Sequence, residues 1–215
     1  MKKLVVLSML SASILASVHA ADKSVIPESV ELIDVTTVNS NIQVKLYFAT
    51  DQNFTGKVFY SDCAKAYLRP SAANALSEVQ KELEELGLGL VVCDAYRPKS
   101  VQKDLWECCP DAEWVVNPNE SCCRHHCGLA VDVVLVDLTD GSLVPMPCPF
   151  FGDPSSRDYS VMTSTEVKRN CKLLEVVMEK HGFVGLTTEW WHFDFKSRER
   201  CDALDVSFQE LAERL

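Results

Sequence analysis

The chain has 215 residues, with 31 acidic and 21 basic side chains, a net charge of −10 and 47% hydrophobic residues. That length suits one domain with a substantial core. An acidic chain without a basic stripe argues against nucleic acid or an anionic membrane surface as a partner.

The first 20 residues read as a secretory signal peptide. Lys2 and Lys3 precede an apolar run from Leu4 to Val18, and Val18-His19-Ala20 is a small-residue cleavage pattern. The run is too short and too rich in serine to span a bilayer, which needs about 20 apolar residues. No later segment is apolar for long enough, so no transmembrane segment is expected. The expected product is one domain over residues 21–215, exported, with the periplasm as its location. All ten cysteines fall in it: Cys63, Cys93, Cys108, Cys109, Cys122, Cys123, Cys127, Cys148, Cys171 and Cys201. An even count in an exported chain favours disulfides, whose connectivity sequence does not disclose. The cluster from Cys108 to Cys127 also admits a thiolate metal site, although it lacks a second clean CxxC half.

Strands are expected at residues 30–35 and 42–48, where Ile42, Val44, Leu46 and Phe48 alternate onto one face. Turn residues from Asp51 to Gly56 mark a loop. A helix follows over residues 71–86, with Ala72, Ala75, Leu76, Val79, Leu83 and Leu86 on one stripe and Gly87 at its stop. Residues 88–93 form a continuous apolar run, read as a buried strand, and residues 99–108 a short helix after Pro98. Residues 109–128 look irregular. A strand over 129–138 turns at Asp140-Gly141 into a hairpin partner near 143–146. Thr163 and Glu166 make a capping box for a helix that Gly182 ends. Strands at 183–186 and 191–195 and a final helix over 203–215 complete the chain. Hairpins with separate helices make the class α+β: one central, mostly antiparallel sheet with helices packed on it.

Three stretches carry chemistry. In His125-His126-Cys127-Gly128-Leu129-Ala130-Val131-Asp132, a histidine precedes a glycine turn and a carboxylate sits inside an apolar strand. Burying that carboxylate is costly unless it is paired or bound to a cation. A zinc half-site explains it, and so does an Asp paired to backbone or Arg. In Thr188-Glu189-Trp190-Trp191-His192-Phe193-Asp194-Phe195, Glu189 and His192 are polar members of an aromatic run, which by itself also fits a core strand with one satisfied histidine. In Cys93-Asp94-Ala95-Tyr96-Arg97-Pro98, an Arg leaves a strand end, placed either to face a developing oxyanion or to lie on the surface paired to Asp94. The first two stretches together supply two imidazoles, one carboxylate ligand and a further carboxylate. Three protein ligands are the pattern of catalytic zinc.

The combination Asp94-x-x-Arg97, His125-x-x-Gly128-x-Ala130-x-Asp132 and Glu189-x-x-His192 resembles the VanX-type D-Ala-D-Ala dipeptidases of the zinc D-Ala-D-Ala peptidase superfamily. The likeness extends to Asn53-Phe54-Thr55-Gly56, Gly87-Leu88-Gly89-Leu90 and Trp190-Trp191, and so to most of the chain after residue 20. The resemblance implies one zinc per chain, held at the sheet by His125, Asp132 and His192. It implies Glu189 as general base and then acid, and Arg97 as the stabiliser of the tetrahedral intermediate. It implies the dipeptide D-Ala-D-Ala, or a related small D-amino acid dipeptide, as substrate. The family holds the substrate's amine with an acidic residue after the metal-binding hairpin, here Asp153 with Asp158 as rival. The chain departs from the family at Cys123, where Ser is usual, at Cys127, where Arg is frequent, and in the added His126. His125 keeps the ligand role because only it has the family spacing to Gly128 and Asp132. Two alternatives stand beside this reading: a carboxypeptidase on longer peptidoglycan stems, and a non-catalytic cysteine-rich envelope protein that keeps the zinc fold. Oligomeric state is not legible.

Overall fold

The computed structural model describes residues 31–112, 114–119, 123–147, 164–198 and 201–214. The expected signal peptide, Cys122, Cys148, Asp153, Asp158 and Thr163 lie outside them. In chain order the elements are β1 (Ile33–Asp34), α1 (Val35–Val38), β2 (Gln43–Val44), β3 (Tyr67–Leu68), α2 (Pro70–Glu84), β4 (Leu88–Asp94), α3 (Lys99–Cys108), β5 (Ala130–Asp137), α4 (Thr165–Lys180), β6 (Phe183–Gly185), β7 (His192–Phe195) and α5 (Phe208–Ala212). Short 3-10 turns occupy Tyr47–Ala49 and Arg124–Cys127. Five strands form one sheet in the order β2-β4-β5-β7-β6, antiparallel throughout except where β2 joins β4. This is the α+β architecture expected, with a small antiparallel β1–β3 pair at its side. No helix among the described residues is long and apolar enough to cross a membrane.

The core follows the apolar periodicity. Pro70 opens α2, where its missing N–H costs nothing. Ala72, Leu76, Val79 and Leu83 then bury completely, and Gly87 leaves the helix at φ 73°. Fully burying each such Leu contributes about 1.5–3 kcal/mol. Inside this apolar layer, Gln80 accepts the backbone N–H of Leu90 at 2.8 Å and so ties α2 to β4. Residues 130–136 of β5 are all buried, so both faces of this central strand are covered.

Several segments differ from the periodic reading, each for a local reason. Of the strand expected at 30–35, the described residues form only Ile33–Asp34. Asp34 accepts the backbone N–H of Thr36 at 3.0 Å and its hydroxyl at 2.8 Å, which caps α1 instead. The strand expected at 42–48 pairs only through Gln43 and Val44, and the chain then coils into the 3-10 turn. The hairpin partner after β5 is a single bridge between Val136 and Leu143. Helix α4 is capped by Ser164, whose side chain accepts the N–H of Val167. The last helix is five residues long rather than thirteen positions. Leu204 and Val206 bury between exposed neighbours along the irregular segment ahead of it, a period of two that overrides helix propensity.

Candidate active site

Sheet register builds the centre of the site. Asp132 on β5 stands directly opposite His192 on β7. On its other side Asp132 faces Asp94 of β4, through a register shift between Val92 and Asp94. Regular pairing would have set Cys93 against Asp132. The bulge instead brings Asp94 into the same row, a known use of bulges beside functional sites. His125 reaches this row from the 3-10 turn Arg124–Cys127, which Gly128 closes at φ 64° with its N–H on the His125 carbonyl.

Three donor atoms converge. His125 Nε2 lies 3.4 Å from Asp132 Oδ1, His192 Nδ1 lies 3.0 Å from the same oxygen, and the two nitrogens are 3.2 Å apart. A tetrahedral zinc with bonds of about 2.0–2.2 Å spaces its ligands about 3.4 Å apart. The far ring nitrogens are tied down as metal-binding histidines require. His125 Nδ1 donates to the Ala95 carbonyl at 2.6 Å, and His192 Nε2 donates to Asp194 Oδ1 at 3.1 Å. These bonds aim Nε2 of one ring and Nδ1 of the other at the cluster. All three residues are buried. Burial works against protonating His192, yet bonds to Asp132 and Asp194 pull its pKa up to about 10. Burial likewise opposes ionising Asp132, but His125 and His192 hold it far below the carboxylate range. Positive charge is therefore stabilised at this point, and the donor set fits a zinc ion.

Glu189 and Arg97 flank the donors. Glu189 Oε2 is 3.8 Å from His192 Nδ1. Burial raises its pKa, the nearby His192 opposes that rise and Asp132 adds to it. Trp190 and Trp191, 3% and 2% exposed, anchor the turn that carries it. Arg97 is buried, not a surface residue, and its pairing with Asp94 is also real. Its Nε and Nη2 donate to Asp94 Oδ2 at 3.0 and 2.5 Å, and Nη1 donates to Gln102 Oε1 at 2.7 Å. The guanidinium lies 4.9 Å over the Phe48 ring. Tyr60 donates to the other Asp94 oxygen at 2.6 Å. Five guanidinium N–H groups, three of them in these bonds, leave two for a substrate.

Arg97, Gln102, Cys123, His125, Asp132, Glu189 and His192 line one cavity of about 70 Å³, walled by Phe48, Phe54, Leu105, Trp114, Leu186 and Trp191. Phe54 and Trp114 pack ring to ring at 5.8 Å between centroids. The structure thus brings the three expected donors, Glu189 and Arg97 to one cavity, while the sequence reading assigns no role to Tyr60, Gln102 or Asp194. Asp194 had a signal, since two positions beyond His192 on a strand is the same face. Tyr60 had none. Asp153 and its rival Asp158 lie outside the described residues.

The thiolate cluster does not form among the described residues. Cys127 is bonded to Cys201, and Cys63, Cys93, Cys108 and Cys109 are free thiols. Cys123 lines the cavity, where burial pushes its pKa up to about 11, and it does not join the three-donor group. His126 is 1% exposed but outside the group, its pKa lowered to about 3 by burial and by the charges of Arg97, His125 and Lys99.

The family model Peptidase M15, described as D-ala-D-ala dipeptidase, matches residues 28–212. The D-alanyl-D-alanine dipeptidase of Escherichia coli (strain K12) is 34% identical over 168 residues, 78% of this chain and 86% of that protein. The D-alanyl-D-alanine dipeptidase of Enterococcus faecalis (strain ATCC 700802 / V583) is 29% identical over 171 residues, 68% of this chain and 82% of that protein. A solved structure of VanYB in complex with D-Alanine-D-Alanine aligns with 62% of this chain and 74% of its own at 15% identity and a TM-score of 0.41.

Proposed function

The chain belongs to the M15 peptidase family of D-Ala-D-Ala dipeptidases, and on that footing we propose that it hydrolyses D-Ala-D-Ala to two D-Ala with one zinc per chain. The observation that carries this reading is the meeting of His125 Nε2, Asp132 Oδ1 and His192 Nδ1 within 3.4 Å of one another, in one cavity with Glu189 and Arg97.

His125, Asp132 and His192 would hold the metal. When bound there, zinc acts as a Lewis acid and makes water acidic enough to supply a nucleophile near neutral pH. Glu189 takes the proton that the attacking water gives up. It then returns that proton to the amide nitrogen as the C–N bond breaks, so one water is consumed and two amino acids leave. A carboxylate whose pKa is raised by burial suits both steps. Arg97 directs its two remaining N–H groups at the carbonyl oxygen as charge builds there. The Asp94 and Gln102 bonds hold that guanidinium before substrate arrives. The aromatic walls keep bulk water out and strengthen these charges. Asp153 remains the proposed partner of the substrate's amine, on the resemblance alone.

A small cavity with aromatic walls supports a dipeptide over a long stem. The exported location belongs to the same reading. It is supported by the leader pattern of residues 1–20 and by the Cys127–Cys201 disulfide, since disulfides persist in oxidising compartments.

The test is release of D-Ala from D-Ala-D-Ala by the zinc-loaded protein, with a pentapeptide stem as competitor. The dipeptide is expected to be turned over faster, and Glu189→Gln is expected to lose about 10²–10⁴ in kcat while retaining zinc. Faster release from the pentapeptide would make it a carboxypeptidase. A zinc-loaded wild-type protein that cleaves neither substrate would leave the non-catalytic envelope protein.

A further inference from the structure

Residues 201–212 stay outside the sheet, yet they touch both halves of the site. Cys201 is bonded to Cys127, two residues beyond the donor His125 and next to Gly128. Leu204 donates its backbone N–H to the His126 carbonyl at 2.9 Å and accepts that of Lys99 at 3.1 Å. Asp205 Oδ1 accepts the N–H of Ser100 at 2.7 Å. The Tyr96 hydroxyl accepts the Val206 N–H at 2.9 Å and donates to the Val206 carbonyl at 3.0 Å. Phe208 inserts among Tyr60, Tyr67 and Tyr96, with ring centroids 4.7, 6.3 and 6.2 Å away.

Each anchor falls on a piece the chemistry uses. The disulfide and Leu204 hold the turn that carries His125. Tyr96, Lys99 and Ser100 flank Arg97, whose own N–H donates to the His125 carbonyl at 3.2 Å. Phe208 packs on Tyr60, which holds the Asp94 carboxylate that holds Arg97. The 3-10 turn Arg124–Cys127 is four residues long and lies outside the sheet ladder. Such turns have poor internal hydrogen-bond geometry and depend on outside support. Asp132 and His192, by contrast, are fixed by strand pairing.

We propose that residues 201–212, locked on by the Cys127–Cys201 disulfide, are a positioning strap that sets His125 and Arg97 against the strand-borne Asp132 and His192, so that zinc affinity depends on that disulfide. The inference rests on the zinc reading above. None of these residues touches the metal, and the strap acts through the backbone of the His125 turn.

The experiment follows zinc loss from the full chain to a chromophoric chelator, at a temperature where circular dichroism shows the fold intact. Oxidised wild type is compared with phosphine-reduced wild type and with Cys127→Ala/Cys201→Ala. The reduced protein and the double variant are expected to hold zinc about 10-fold less tightly or weaker still, the range seen when outer partners of metal ligands are removed. A disulfide serving only global stability would lower the melting temperature and leave zinc loss from folded protein unchanged; that outcome overturns the strap. Phe208→Ala, which keeps the disulfide but removes the ring that packs on Tyr60, is read the same way should the other two forms unfold. Faster zinc loss supports the strap, and an unchanged rate overturns it. Oxidised wild type that takes up no zinc at all would instead sink the metal reading itself.

Discussion

His125 and His192 present opposite ring nitrogens to the site, and in each case the choice is made by what holds the far nitrogen: a backbone carbonyl for His125, the Asp194 carboxylate for His192. Removing such a carboxylate frees the ring to rotate and lowers its basicity, so Asp194→Ala is expected to weaken zinc binding about 10–100-fold, measured by chelator competition. Activity should return when zinc is in excess, because Asp194 does not line the cavity. Arg97 has a different dependence. Arg97→Lys keeps a positive charge beside the buried Asp94 but loses the planar fork that meets Asp94 and Gln102 together. Its kcat is expected to fall toward the loss of about 10²–10³ typical of a missing oxyanion donor, with zinc affinity intact. An unchanged kcat would remove Arg97 from the mechanism. At this scale the three donors, Glu189 and Arg97 were legible as residue types at fixed spacing. Tyr60 and Gln102 were not, since nothing local to either residue indicates that its partner is Asp94 or Arg97.

Elements were legible where period and punctuation agreed. Helix α3 begins and ends where Pro98 and the following residues place it, and α2 and β4 differ from the periodic reading by one or two residues. The misreadings came where two periods competed. Leu204 and Val206 alternate with exposed neighbours over a segment that otherwise favours helix, and hydrogen bonds from Leu204 to the His126 carbonyl and between Val206 and the Tyr96 hydroxyl hold it out of the helix. The β4 bulge was invisible as well, because an apolar run looks the same with or without an extra residue in register. Gly128 joins the turn Arg124–Cys127 to β5, and a Cβ there would lie 2.5 Å from Leu32 Cδ2 and 3.3 Å from the Arg69 backbone nitrogen. The Leu32 side chain can move, but the left-handed backbone at φ 64° cannot be relieved. Gly128→Ala is therefore expected to cost about 1–2 kcal/mol, read as a lower midpoint in urea unfolding.

For the molecule as a whole, the three candidate donors come from a turn, a central strand and a strand near the C-terminus, so an ion bound by all three binds the folded state alone. Zinc at 100 times its dissociation constant should add about 2.7 kcal/mol and raise the melting temperature, and His125→Ala should abolish that rise. An equal rise in both proteins would place the ion elsewhere. Sequence by itself determined the chemical inventory: an acidic chain of one domain, the spacing of His125 to Asp132 and of Glu189 to His192, and a family whose model spans residues 28–212. Tertiary structure alone decided the coupling. It paired Asp132 with His192, bulged β4 to bring Asp94 alongside, and drew Cys201 across 74 residues to Cys127. The physical reason is range. Helix caps, turns and strand alternation are set by neighbours a few residues apart, and so are written locally. Register and long-range cross-links are chosen by the free energy of the assembled core, which no short window of sequence contains.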